Sequence, residues 1–201
     1  MKRTFMEALI NRRSYYRINN QSKVSDREIV EMIDSVVLNM PSAFNVQASR
    51  LVLLLGRQHE EFWTIVKEVL QGVVAPDKFD RTREKIDRSF AAGHGTVLFY
   101  EDTSLIEEQK RSMPLYADKF DEFSTQTSAM HQFAVWTQLE DMGFGASLQH
   151  YNPLIDERVA QRWMINPAWL LKAQMPFGCP LEKPAERTHN LPMEQRRLVF
   201  D

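Results

Sequence analysis

A single domain of the α+β class is what this sequence predicts, and three observations predict it. The chain has 201 residues, 43% of them hydrophobic, which suits one globular unit with a sizeable core. Two short, continuous apolar runs, residues 51–55 and 96–100, have the length of buried strands. Between and around them stand segments whose apolar residues recur every three or four positions, the spacing of a helix with a buried face. No repeat, low-complexity tract or linker interrupts the chain, so residues 1–201 are read as one domain.

Taken in order, Thr4 followed three residues later by Glu7 is a capping box, and Phe5, Ala8 and Leu9 supply the apolar face of a short helix ending near Arg12. Ser25 and Glu28 repeat the device ahead of Ile29, Met32, Ile33, Val36 and Val37, and Pro41 closes that helix by restricting Met40. The strand 51–55 ends at Gly56. Phe62, Trp63, Val66, Val69, Leu70 and Val73 mark the next helix, and the charged stretch 77–89 a more exposed one. After the strand 96–100, residues 124–142 are apolar over more than one face and stop at Gly143, which implies a widely buried helix. Asn152 as a cap with Pro153 at the first helical position opens a helix towards Trp163, and residues 170–177 follow as a strand. Prolines at 180, 184 and 192 make the remainder an extended arm, finishing in a short strand at the apolar tip Leu198, Val199 and Phe200.

Charge and composition narrow the partners. A net charge of −2 with acidic and basic residues interleaved argues against nucleic acid or an anionic membrane surface. No run approaches the roughly 20 apolar residues of a membrane span, and the opening MKRTFMEALINRRS has no apolar core or cleavage site of a leader. Cys179 is the single cysteine, which excludes an internal disulfide and fits a reducing compartment, so a cytoplasmic protein is expected. The five histidines show no pair at ligand spacing, and no metal site is expected. Trp136, Trp163 and Trp169 sit on apolar patterns and read as core, and Cys179 as a small structural residue.

Three clusters can carry chemistry. Arg12, Arg13 and Ser14 offer two guanidinium forks and a hydroxyl suited to a phosphate, although adjacent arginines also arise as a solvated helix end. In residues 41–47, PSAFNVQ, the side chains of Ser42, Asn45 and Gln47 can present neutral donors and acceptors to one heterocycle edge. The same residue types also make an ordinary loop. Residues 143–153, GFGASLQHYNP, combine small residues that let the backbone approach a flat ligand, but they are not a dinucleotide fingerprint.

In this order and spacing, RRS at 12–14, PSAFNVQ at 41–47, GFGASLQHYNP at 143–153 and the tail FGCPLEKPAERTHNLP at 177–192 resemble the nitroreductase superfamily. The likeness is strongest to its short, fatty-acid-repression-type branch and covers nearly the whole chain. It implies a central, mostly antiparallel sheet flanked by helices, in a homodimer with FMN at the subunit interface and a carboxyl-terminal arm wrapping the partner. Carried over, it places the FMN phosphate on Arg12 and Ser14 with Arg13 close by, and Arg187 as the late basic residue that also reaches it. Ser42, Asn45 and Gln47 would line the flavin from the partner subunit or at its pyrimidine edge, and Leu148, Gln149 and His150 its N5 and O4 side. Tyr16 stands where the larger branch carries a basic residue, which changes the electronic tuning of the flavin.

The resemblance further implies a ping-pong oxidoreductase. A hydride from NAD(P)H goes to flavin N5, and a nitroaromatic or quinone-type acceptor then takes the nicotinamide's place, with no side chain acting as acid or base. A flavin-binding regulatory protein linked to lipid metabolism or stress response shares every motif, and flavin-dependent dehalogenation or flavin cleavage also occurs on this fold. Residues 77–89 and 113–123 are candidate covers for the site.

Overall fold

The structure, a computed structural model, describes residues 4–184 and 186–200. Positions 1–3 of the opening segment, Ala185 of the tail and Asp201 lie outside the described residues. Both capping boxes form. Thr4 caps α1 (Phe5–Asn11) and Ser25 caps α2 (Asp26–Asn39), each hydroxyl accepting from the backbone N–H three residues on while the glutamate reaches back to the cap's own N–H. β1 (Ile18–Asn19) lies between them. Each helix stops where the sequence predicts, with Arg12 and Met40 at the carboxyl caps.

The sheet is built on three long strands, β2 (Ser49–Leu55), β3 (Gly95–Asp102) and β5 (Trp169–Pro180). Its order is β1-β5-β3-β2 with every neighbour antiparallel, and the two-residue β4 (Gly145–Ala146) also pairs with β5. All eight residues of β3 are buried. Val97 and Phe99 face one cluster, with α2 and α6 (Phe120–Asp141), while Leu98 and Tyr100 face the other, with α3 (Gly56–Gln71), α4 (Pro76–Ile86) and α7 (Asp156–Trp163). A strand covered on both faces has no polar side to alternate with, which is why residues 96–100 read as a continuous apolar run.

Three details depart from expectation. The Asn152–Pro153 peptide is cis and lies in a turn, and α7 begins at Asp156 with Ile155 as its cap. Asn152 does not cap a helix. Its carboxamide oxygen accepts instead from Gln174 Nε2 at 3.0 Å, an interaction across the fold that local pattern does not report. A helix α5 (Thr103–Ser112), capped by Asp102, was not foreseen, because Ile106 is its single fully buried side chain and two apolar residues make no face. The tail carries a turn at Met193–Gln195 but no strand among the described residues, and its apolar tip is exposed. No helix among the described residues is long and apolar enough to cross a membrane.

One buried histidine makes the fold sensitive to acid. Trp63 Nε1 donates to Thr96 Oγ1 at 2.9 Å, Thr96 Oγ1 lies 2.8 Å from His59 Nδ1, and His59 Nε2 lies 3.2 Å from the Ala91 carbonyl oxygen. A carbonyl only accepts, so the neutral ring carries its hydrogen on Nε2 and takes the threonine hydrogen on Nδ1. Burial pushes this histidine down to about 4, against the carbonyl contact that acts the other way. The unfolded chain protonates near pH 6.5 and the folded chain does not, so stability is complete above about 6.5, falls as pH drops, and levels off below the folded value. We expect a loss of roughly 3 kcal/mol across that window. Urea unfolding at a series of pH values measures it, and the same slope in His59→Gln would show that another group is responsible.

Candidate functional site

The Arg12–Ser14 segment leaves the end of α1 and runs beside β4. Ser14 bridges Ala146 in parallel, and Tyr15 N donates to the Ala146 carbonyl at 3.0 Å. That approach requires Gly145, because a Cβ there would stand 2.7 Å from Tyr15 Cγ and 2.8 Å from its Cβ. A glycine read from sequence as admitting a flat ligand is therefore also the contact that holds the arginine segment against the sheet.

Arg187 comes to the same place from the far end of the chain. Its Nη2 donates to the carbonyl oxygens of Ile10 at 3.0 Å and Arg12 at 3.1 Å, two acceptors exposed by the end of α1. The Arg12 guanidinium lies 4.3 Å from the centre of the Trp136 ring on α6. Burial, and then the cations of Arg187 and Arg13, hold Arg12 below its ordinary range, with Glu140 acting the other way. Three guanidiniums crowded at the end of one short helix repel each other, and a polyanion placed among them relieves that repulsion while accepting their donors. A terminal phosphate fits this set. Trp136, read from sequence as core, does pack against the core cluster beside α2 and also lies under Arg12, with its Nε1 buried and unpartnered among the described residues.

Residues 147–150 continue from β4 along the edge of β5. Gln149 exchanges both backbone hydrogen bonds with Gln174, at 2.7 and 2.9 Å, and Ser147 N donates to the Pro176 carbonyl. Strand alternation then turns the N–H groups of Leu148 and His150 away from β5. Among the described residues neither amide donates a backbone hydrogen bond, whereas that of Gln149 does. Gln149 Nε2 donates to Ser147 Oγ at 3.1 Å. The segment is braced by Gln174, fully buried, whose Oε1 accepts from Tyr151 N at 2.7 Å and whose Nε2 reaches Asn152. This residue was missed, yet a glutamine between Ala173 and Met175 in a largely apolar strand is a signal that it holds something. Tyr16 is exposed, next to the arginine segment.

Ser42, Asn45 and Gln47 form a second group. Phe44, Asn45 and Gln47 have φ of 52°, 55° and 53°, a left-handed backbone that costs a residue other than glycine about 1–2 kcal/mol. Ser42 Oγ accepts from Gln47 N at 2.9 Å, and Gln47 Nε2 donates to Asn45 Oδ1 at 3.0 Å, so the loop is tied to itself in this conformation. Beneath it, the buried Glu101 accepts from Ser49 Oγ at 2.5 Å and from Ser124 Oγ at 3.0 Å, joining the start of β2 to α6. Burial pushes this carboxyl up, against the two hydroxyls. Strain maintained by surrounding structure is a mark of a working loop.

The two groups meet α6 at different heights: the loop near Ser124, Arg12 at Trp136. Twelve helical residues separate these points, about 18 Å along the axis. Among the described residues no hydrogen bond or ion pair joins the groups within one chain.

The nitroreductase family model matches residues 9–179. HBN1 of Saccharomyces cerevisiae is 31% identical over 188 residues, which cover 92% of this chain and 93% of that protein. The structure of nitroreductase CinD from Lactococcus lactis, in complex with chloramphenicol or with 4-nitrophenol, superimposes with a TM-score of 0.87 at 36% identity, over 98% of this chain and 100% of that one. A nitroreductase with bound FMN from Desulfitobacterium hafniense shares the fold at a TM-score of 0.70 and 14% identity, with both chains fully covered. With the family model spanning most of the chain and relatives this similar over nearly their whole length, the chain belongs to the nitroreductase family.

Proposed function

We propose that this chain is an FMN-dependent oxidoreductase that works as a homodimer, taking hydride from NAD(P)H and passing electrons to nitroaromatic or quinone-type acceptors. The observation that carries the proposal is that Arg187, from the far end of the chain, docks on the end of α1, where its cation and that of Arg13 act on Arg12, two residues before Ser14. FMN would supply the redox chemistry, accepting a hydride at N5 and returning electrons to a second substrate bound in the same place.

The residues of this chain bind and orient. Arg12, Arg13, Ser14 and Arg187 hold the phosphate, the amides of Leu148 and His150 meet the ring edge, and Tyr16 contributes a neutral phenol. Ser42, Asn45 and Gln47 present their polar edge from a loop that meets α6 about 18 Å along its axis from Arg12, and the family resemblance favours their supply by a second copy. An unpartnered apolar face favours it as well. Phe5, Met130 and Phe133 are exposed around a groove between α1, α2 and α6, with Val37 and Leu38 exposed beside it, and a lone soluble protein seldom leaves so large a patch uncovered. Chloramphenicol and 4-nitrophenol, the molecules in complex with CinD, both carry a nitroaryl group, which supports that acceptor class.

The purified protein should be yellow, release FMN rather than FAD on denaturation, and bleach under anaerobic NADH or NADPH, with colour restored by 4-nitrophenol or a quinone. Chromatography of the released chromophore and the visible spectrum test this. A colourless protein that takes up no added FMN overturns the whole proposal. A yellow protein that neither nicotinamide bleaches leaves FMN in place and makes the regulatory reading of the same residues the better one.

A further inference from the structure

We propose that the cleft between α7 and the start of β5 is a second ligand site, and that it takes a small primary ammonium cation. Tyr100, Thr103, Asp156, Glu157 and Trp169 are among its walls, and none of the residues assigned to the flavin lines it.

Two sealed oxygens carry the argument. Tyr100 is 3% exposed, and its Oη has no hydrogen-bond partner among the described residues. The same is true of Asp156 Oδ1, a buried carboxylate oxygen at the first turn of α7. Leaving buried polar atoms unpaired costs free energy that folded proteins generally avoid, so a pair at the floor of one cleft points to a partner that enters it. Burial raises the titration of both groups, and the Asp156 charge raises Tyr100 further, which puts the phenol within the carboxylate's field.

The surroundings select the ligand's charge. Asp156 and Glu157 are acidic, and no residue lining the cleft is basic. The guanidiniums nearby are already engaged: Arg50 sits 5.8 Å from the Trp169 ring centre and pairs with Asp102 at 3.2 Å, while Arg158 and Arg162 of α7 pair with Glu68 and Glu61. An anion would meet two carboxylates and no cationic side chain, and the phenol O–H of Tyr100 alone would not offset their repulsion. A primary ammonium brings three N–H groups, enough for the Asp156 carboxylate and a lone pair of Tyr100 Oη together. Its positive charge suits the face of the Trp169 ring, and a short alkyl group can rest against the exposed Leu170. Because both oxygens are sealed, the cation reaches them as the side chains at the floor part.

The test titrates the full-length protein, as purified, with ethylammonium chloride, by calorimetry and thermal denaturation. Tetramethylammonium chloride, which has no N–H, is the control at matched ionic strength. Ethylammonium should bind saturably and raise Tm, and tetramethylammonium should do neither. Asp156→Asn should weaken binding on the order of tenfold or more, and Tyr100→Phe by a smaller factor, with flavin content unchanged in both. Without amine, Tyr100→Phe should unfold at the same or a higher temperature, since it deletes an unpaired hydroxyl. No saturable effect, an equal effect from tetramethylammonium, or binding that survives both substitutions overturns the site. A lower Tm of Tyr100→Phe without amine also overturns it, because the hydroxyl would then be satisfied already, by an ordered water only.

Discussion

Replacing Arg12 with alanine should lower the affinity for FMN by on the order of ten- to a hundredfold while leaving a folded protein, because each charge-assisted bond to a phosphate is worth about 1.5–3 kcal/mol. The fold should survive because what Arg12 gives it is small. Its backbone carbonyl, which accepts from Arg187, is retained in alanine, so the tail stays attached. Its guanidinium stacks on Trp136, a contact worth about 0.5–2 kcal/mol, and its removal also relieves repulsion with Arg13 and Arg187. Arg12→Lys should recover only part of the loss, since an ammonium keeps the charge but neither the paired donors nor the flat stack on the indole. Flavin titration by fluorescence, with circular dichroism as the control for folding, measures all three proteins. If Arg12→Ala binds FMN as the parent does, the arginine pair returns to its other reading as a solvated helix end.

How much of this was legible before the fold depends on the range of each interaction. The capping boxes at Thr4 and Ser25 are complete within four residues, so their helices begin where the letters say. The centre of β3 was legible because burial on both faces makes Val97 to Tyr100 an unbroken apolar run. The cis Asn152–Pro153 turn was not, because Gln174, 22 positions away, holds the Asn152 side chain. The candidate site divides in the same way. Arg12, Arg13 and Ser14 are visible as a cluster, and the structure brings Arg187 to them across more than 170 residues, a meeting that only the family resemblance anticipated. Trp136 packs against the core as its apolar helix implies, but nothing local announces that its ring also lies beneath a guanidinium. Gly145 reads as a small residue that lets the backbone approach a flat ligand, and the structure sets the Tyr15 side chain against it.

Deleting residues 191–201 should weaken the dimer and lower flavin occupancy together, although Arg187 remains. The tail is fastened to its own chain by Arg187, and past that point its apolar side chains find no cover there: Leu198, Val199 and Phe200 are 78%, 68% and 91% exposed. Burying such side chains contributes roughly 1.5–3 kcal/mol each, and a second copy is the surface the homodimer proposal provides. The anchor and the tip then act on different properties. On that proposal Arg187 would tie the root of the arm to the phosphate, while the tip would hold the partner whose Ser42–Gln47 loop completes the flavin's surroundings, so losing the tip should loosen the cofactor indirectly. Replacing Leu198, Val199 and Phe200 with serine separates apolar contact from mere length and should reproduce most of the effect. Light scattering over a range of protein concentrations, together with the ratio of flavin to protein, reads both properties in each variant. A truncated protein that remains a fully loaded dimer would mean that the arm lies outside the interface, and the coupling of dimerisation to cofactor binding would have to run through the apolar groove of α1, α2 and α6 alone.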